Sequence, residues 1–481
     1  MSLDPGRLSP RKRAILARAE RQARERPDWI ARNAYYYEED RRYLDFLVPP
    51  GASVLELGCG IGDSLAALRP SRGVGVDFSQ AMLEVAKARY PFLEFHEGDV
   101  EDPATLDRLG GPFDVILVSD TIGELEDCQT TLRQLHKLCS SDTRVIISYY
   151  SAMWEPILEL AEWMGQKMQL EPQNWLSSDD ISALVELAGF EVVKREWRQL
   201  IPKRCFGFGR FVNRYIAPLP LVRRLALRNY VVARPHPKED SSLLSATVLI
   251  PCKNERDNIE PAIQRLPRFC EDLEILFVEG GSTDGTRPEI ERVIDAYPER
   301  NIRVLTQRGK GKGDAVRTGF EAASGDVLII LDADLTVAPE WIPRFHEAIR
   351  SGRGEFINGS RLVYPMEDQA MRFLNLVANR VFCWLFSWLL NQRFTDTLCG
   401  TKALSKHHYR EIAANRDYFG DFDPFGDFDL IFGAAKLNLK VVEVPVRYAS
   451  RRYGETQISR FRHGWLLLRM VIFAFRKLKA F

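Results

Sequence analysis

The chain has 481 residues, 45% hydrophobic and 27% charged, the composition of an ordinary globular protein of two or three domains. Its 66 basic and 66 acidic residues cancel but are unevenly spread: residues 198–238 hold ten Lys/Arg and no acid, and residues 451–481 hold eight Lys/Arg against Glu455 alone. The other 409 residues therefore carry −17, which excludes a globally basic nucleic-acid binder and leaves two local basic stretches to explain.

No apolar run reaches the ~18 residues of a spanning helix. Residues 1–26 are Arg-rich but lack the apolar core of a secretory signal. Eight cysteines show no C-x-x-C spacing and no clustered histidine, which argues against zinc or a disulfide framework and predicts a cytoplasmic protein. Two strand–helix blocks flank a polar, proline-containing stretch. The expected domains are 1–235 and 244–481, with 236–243 as linker. Such alternation predicts an α/β fold of two Rossmann-like three-layer domains, with chemistry at the carboxyl ends of the strands.

In the first block a strand at Val54–Leu57 runs into Gly58-Cys-Gly60-Ile-Gly62-Asp63. Glycines there allow a tight turn and a close ligand approach at a helix N-terminus. Asp63 stands where a dinucleotide fingerprint needs its third glycine, which disfavours hydride transfer. Further strands end at Asp77, at Gly98-Asp99-Val100 and at Ser119-Asp120. These ordered motifs, with Leu176–Ile181 and Ala188-Gly-Phe190, resemble the class I S-adenosylmethionine-dependent methyltransferases over residues 30–235. The resemblance implies that Glu56, Gly58, Gly60 and Gly62 cradle the amino-acid part of S-adenosylmethionine. It also implies that Asp77 holds the ribose and that Asp99 and Val100 flank the adenine. For the methyl acceptor, Asp120, Glu124 and His136 are bases by position only, against loop solvation or helix packing. Tyr35-Tyr-Tyr37 either caps the donor site or belongs to a packed N-terminal helix with no ligand role. A non-catalytic scaffold is the rival reading of this half.

The second block begins with Thr247-Val-Leu-Ile-Pro251-Cys-Lys-Asn254-Glu255 and continues through a strand ending at Glu279, with Ser282-Thr-Asp284-Gly-Thr286. A Gly/Lys loop containing Lys312 follows, and then Asp332-Ala-Asp334 at a strand end. Two carboxylates one residue apart are costly to bury unpaired, and suit a hard divalent cation (Mg or Mn) gripping a diphosphate. The Gly/Lys loop is no Walker P-loop. The ordered set resembles the family 2, GT-A glycosyltransferases. Asn358-Gly-Ser-Arg361, Asp396-Thr-Leu-Cys-Gly-Thr-Lys402, Phe428-Asp429-Leu430 and Val442-Glu-Val-Pro-Val446 narrow the resemblance to the dolichyl-phosphate mannose synthase-like, polyprenyl-phosphate branch.

The resemblance implies a nucleotide-sugar pocket from Pro251, Asn254, Glu255, Glu279, Asp284 and Lys312. Asp332 and Asp334 would hold the metal, and Arg361 and Arg372 would meet the acceptor phosphate. Glu279-Gly280 replaces the usual acid pair, leaving the nucleotide open. Thr456-Gln457 replaces the usual Ser-Lys, for which Arg451, Arg452 or Arg460 would substitute. A phosphate acceptor needs no strong base. A hydroxyl acceptor, the alternative, would need Asp427 or Asp429 as catalytic carboxylate. Residues 371–391 set a polar stripe of Arg372, Asn375, Asn379, Ser387 and Asn391 against a broad Trp/Phe-rich face, and the C-terminal stretch repeats this with Arg462, Arg469 and Arg476. This is the pattern of amphipathic helices in a membrane interface; the alternative is two core helices with their polar residues solvated. The expected protein is a bifunctional enzyme, peripheral on the inner face of a membrane, with residues 198–238 serving the same surface. Oligomeric state is left open.

Overall fold

A computed structural model describes residues 8–169, 171–236, 245–364, 373–420, 426, 428–449, 453 and 460–481. The chain divides into two compact units, the first ending at His236. Arg372, Asp427, Arg451, Arg452, Thr456 and Gln457 lie outside the described residues.

The first unit contains β1 (Ser53–Leu57), β2 (Arg72–Asp77), β3 (Glu94–Glu97), β4 (Phe113–Ser119), β5 (Cys139–Tyr150), β6 (Phe190–Arg198) and β7 (Arg228–Pro235). They form one sheet in the order β3-β2-β1-β4-β5-β7-β6. β1 lies parallel to both β2 and β4, while β7 runs antiparallel between β5 and β6. Val54, Leu55 and Leu57 are buried together, as expected for a central parallel strand covered on both faces. The chain crosses from one side of β1 to the other, so the ends of β1 and β4 open a crevice where ligands bind in such sheets.

The second unit contains β8 (Ala246–Cys252), β9 (Leu273–Glu279), β10 (Asn301–Thr306), β11 (Val327–Ile330), β12 (Phe356–Ser360), β13 (Lys402–Ser405) and β14 (Val441–Pro445). Their order is β10-β9-β8-β11-β13-β12-β14, with β13 antiparallel to β11 and β12. Val248, Ile250, Ile275, Phe277, Val327 and Ile329 form the centre of its core. The switch point is at β8 and β11, whose ends carry Asn254 and Asp332. Both units are mixed α/β domains with helices packed on the sheets, as the strand–helix alternation predicts.

Two long helices close the second unit, Phe373–Leu390 and Arg460–Leu478. In the last helix Leu467, Met470, Val471, Ala474 and Leu478 are buried at helical spacing, with Trp388 and Phe475 rings 5.7 Å apart. Trp465, Leu468 and Ile472 face outward beside exposed Arg469 and Arg476. In the other helix the polar residues expected outside turn inward. Asn379 is buried and donates to Asp396 (3.2 Å), and Ser387 donates to the Cys383 carbonyl (2.6 Å). Val381 and Trp384 are exposed instead. Buried polar partners explain the inversion, since Asp396 needs donors more than Asn379 needs water. No described helix is long and apolar enough to cross a membrane.

Candidate active sites

A cavity of about 290 Å³ sits at the crevice of the first unit. Its wall includes Gly58, Gly60, Asp77, Asp99, Val100 and Asp120, which come from the carboxyl ends of β1 to β4 or the turns after them. Gly58 adopts φ 68°, and a Cβ there would stand 2.2 Å from Thr121 Oγ1, which itself donates to the Leu57 carbonyl (2.8 Å). Only glycine fits that turn. A Cβ on Gly60 would meet nothing within 4 Å, so the turn leaves open room beside the backbone for a ligand.

Asp77 accepts from the backbone N–H groups of Gly60 (2.8 Å) and Ser79 (2.9 Å). Burial raises its pKa to about 6, partly opposed by those two hydrogen bonds. Glu56 and Gly62 are not in the wall. Glu56 is buried and accepts from the Leu65 N–H (3.1 Å), tying down the helix Asp63–Ala67, and burial holds its carboxyl well above the usual range. Gly62 begins that helix, with a Cβ position 2.9 Å from the Phe95 ring. Both therefore shape the glycine turn from behind.

The helix Pro10–Gln22, which sequence reasoning assigned no ligand role, supplies much of the wall. Lys12 pairs with Asp99 and with Glu101 (2.7 Å), and Arg18 with Glu124 (2.6 Å). Glu20 accepts from Ser79 Oγ (2.8 Å). Burial lowers the Lys12 pKa, but Asp99 and Glu101 more than restore it and leave it raised. The available signal was the spacing Lys12, Ile15, Ala19, Gln22 on one helical face, obscured by the arginines around it.

Tyr36 and Tyr37 line the cavity, whereas Tyr35 accepts from Asn213 (3.0 Å). Asp120 takes a left-handed φ of 59° and pairs with Arg228, a wholly buried guanidinium that also bonds Asp40 (3.1 Å) and Ser148 (3.0 Å). Burial raises the Asp120 pKa, against the pull of Arg228. His136 lies elsewhere, stacked on Phe190 at 4.0 Å with Nε2 3.0 Å from the Ala188 carbonyl.

In the second unit the turns after β8 and β9 lock together. Asn254 (φ 56°) donates its N–H to Ser282 (2.9 Å) and accepts from the Thr283 N–H (2.8 Å). Glu279 accepts from the Ser282 N–H (2.5 Å), and the Glu255 N–H reaches Thr286 (3.0 Å). Asp284 accepts from Thr286 and from the Arg256 N–H (3.2 Å); these bonds hold its pKa below the usual value although burial raises it. Pro251 lies on β8 beside Val278.

Lys312, at the start of the helix Lys312–Ala322, donates to Asp332 Oδ1 at 2.5 Å. Burial raises the Asp332 pKa, but Lys312, then Lys402 and Arg361, outweigh it and keep the carboxyl below its ordinary value. Lys402 is wholly buried and donates to the Cys399 carbonyl. Gly400 packs so closely that a Cβ would fall 2.0 Å from Asp332 Oδ2. Asp334 accepts from the Thr336 N–H (3.1 Å) and hydroxyl (2.8 Å). Two hard carboxylates, one kept ionised by cations, fit a divalent metal.

Arg361 is clamped by buried Asp396, Nε to Oδ2 at 2.6 Å and Nη2 to Oδ1 at 2.9 Å, with its guanidinium 4.9 Å from the Tyr448 ring. Asp429 receives Arg317 (3.2 Å) and Arg416 (3.5 Å). Glu443 accepts from the Thr395 N–H (2.8 Å) and the Asp396 N–H (3.2 Å), and so supports Asp396 in turn. Their motifs were visible in the sequence, but their roles as supports were not.

Residues 20–195 match the family model for a methyltransferase domain, and residues 247–411 that of glycosyl transferase family 2. A dolichol-phosphate mannosyltransferase of Pyrococcus furiosus is 30% identical over 221 residues, 45% of this chain and 60% of that one. The glycosyltransferase AglJ of Haloferax volcanii is 29% identical over 224 residues, 46% of this chain and 68% of its own. Among solved structures, a SAM-dependent methyltransferase of Thermotoga maritima is 17% identical, covers 46% of this chain and 99% of its own, and has a TM-score of 0.36.

Proposed function

From a chain that joins a methyltransferase domain to a family 2 glycosyltransferase domain, we propose a bifunctional enzyme. Its second half moves a sugar from a nucleotide donor to a polyprenyl phosphate with inversion. Its first half moves a methyl group from S-adenosylmethionine to a separate acceptor. The observation that carries the glycosyl reading is Asp332, held ionised at 2.5 Å from Lys312 at the switch point of the sheet, in a chain similar to a dolichol-phosphate mannosyltransferase.

Asp332 and Asp334 would hold Mg or Mn, which when bound supplies positive charge to the departing diphosphate. The chain's own residues do the remaining work. Lys312 leaves Asp332 for the diphosphate, since an ammonium on a flexible stem serves either anion. Asn254, Glu255, Glu279 and Asp284 form a pre-set rim for base and ribose, their turns fixed by the hydrogen bonds between β8 and β9. Arg361, oriented by Asp396, offers its charge to the acceptor phosphate; Arg372 is assigned the same task. A phosphate oxygen is already anionic, so positioning and charge suffice. The pairing of Asp429 with Arg317 and Arg416 makes it a poor base for a hydroxyl acceptor, which leaves that alternative to Asp427, outside the described residues.

The outward Trp384, Trp465 and Ile472 support a peripheral position on the cytoplasmic face of a membrane. In the first half, Asp77 would take the ribose and Asp99 and Val100 the adenine, on a cavity wall that already gathers all three. Calorimetry with S-adenosylmethionine tests this half; absence of binding would restore the scaffold reading.

A further inference from the structure

The first unit carries an exposed apolar and basic loop next to its cavity, and methyl transfer by itself requires none. Residues 199–227 join β6 to β7. Their base is rigid: buried Asn213 accepts from the Leu200 and Ile201 N–H groups (2.8 and 2.9 Å) and donates to the Ile201 carbonyl (2.7 Å). Above that base Cys205 and Phe206 adopt left-handed φ of 43° and 55°, disfavoured for any residue with a Cβ. This bend puts Phe206 entirely in solvent. Leu221 is 93% exposed, and Phe208 and Phe211 are more than half exposed. One exposed apolar side chain is ordinary, but four on a single connection are not.

The charge within the connection itself has one sign. Lys203, Arg204, Arg210 and Arg224 are exposed, and residues 198–236 contain no Asp or Glu. Glu38 answers Arg204 at 2.7 Å from a neighbouring helix. The loop also belongs to the cavity rim. Pro202 and Lys203 line the cavity, and Lys203 donates to Asn33, another lining residue, at 2.9 Å. Elsewhere on the wall, Ile157 of the helix Glu155–Trp163 is both lining and exposed, with Leu160 and Trp163 exposed on the same helix.

We propose that this loop anchors the first unit to an anionic lipid bilayer, its aromatic side chains entering the headgroup boundary and its basic side chains meeting lipid phosphates. Apolar tips ringed by Lys/Arg match that interface in both chemistry and charge. The cavity rim then lies at the membrane surface, and the methyl acceptor is an amphiphile held in the bilayer. That last step rests on the methyl-transfer reading; the anchor does not.

Cys205 is the one exposed cysteine of the eight and sits beside Phe206, so it reports on the loop directly. The full chain, labelled there with an environment-sensitive fluorophore, is mixed with vesicles of phosphatidylglycerol and phosphatidylcholine, or of phosphatidylcholine alone. The expected result is a blue-shifted, brighter emission with the anionic vesicles only, quenched by nitroxide-labelled lipid. F206S/F208S should weaken vesicle partition by on the order of tenfold or more. R210E/R224E should weaken it about fivefold or more for each charge. An unresponsive label, whether the chain floats with anionic vesicles or not, would overturn the anchor, as would a response only to a protein partner. Calorimetry with S-adenosylmethionine on the same preparation separates the two readings. Loss of donor binding sinks the methyl-transfer reading alone, and a silent label with intact donor binding sinks the anchor alone.

Discussion

Replacing Asp77 by Asn separates what this carboxylate does for a ligand from what it does for the fold. Burial raises its folded pKa from 3.8 to about 6. The folded state therefore binds the proton more tightly than the unfolded chain, so this group's contribution to stability grows as pH falls through about 6 and is complete below the unfolded value. At pH 7 the ionised group costs the fold about 3 kcal/mol, taking about 1.4 kcal/mol per unit. Asn removes that cost. It can accept only one of the two N–H groups now donated by Gly60 and Ser79, losing about 1–3 kcal/mol. The variant should thus melt at the wild-type temperature or slightly above it.

Donor affinity should move the other way. Losing an ionised acceptor to the ribose hydroxyls costs about 1.5–3 kcal/mol, or about 10- to 150-fold in Kd. Calorimetric titration with S-adenosylmethionine, paired with thermal melts, reads both quantities. In the wild type, binding should be level above about pH 7 and weaken roughly tenfold per unit well below 6, while Asp77→Asn shows no such slope. A variant that binds within about twofold of wild type would refute the ribose role. A variant that binds poorly because its melt has collapsed would refute the stability reasoning.

Other outcomes follow from the same geometry. Asp332→Ala or Asp334→Ala should each reduce sugar transfer on the order of a thousandfold in a radiolabel assay, with folding unchanged by circular dichroism. Arg361→Ala leaves Asp396 buried without its clamp and should cost about 3–5 kcal/mol in denaturant unfolding. Arg361→Lys should recover only part of this, since an ammonium lacks the two-pronged fork. Arg228→Met strands Asp40 and Asp120 and should destabilise the first unit by a similar amount, read by the melt of that unit.

Much of this architecture was legible because strand ends carry chemistry at fixed places. Gly58, Asp77, Asp99 and Asp120 converge on one cavity because each terminates or follows a parallel strand, and Asn254, Glu279 and Asp332 likewise terminate or follow the parallel strands β8, β9 and β11. Contacts between distant segments were not legible. Lys12 meets Asp99, and Arg228 meets Asp40, through tertiary packing that no local pattern records. Glu56 reads as a ligand residue in sequence yet spends its carboxylate on the Leu65 N–H, because an adjacent helix start needs an acceptor. The Asn-containing face of helix Phe373–Leu390 reads as solvated but turns inward to Asp396, a partner seventeen residues beyond Asn379. Periodicity identifies a face; it does not say which face a buried charge will recruit.

Product chemistry distinguishes a lipid phosphate from every other acceptor. Membranes bearing the full chain are offered a panel of labelled sugar nucleotides with polyprenyl phosphate and a divalent cation. Transfer to the lipid phosphate puts label in the organic phase, released by mild acid and absent with Asp332→Ala. Label confined to protein or to water-soluble glycoside would contradict it.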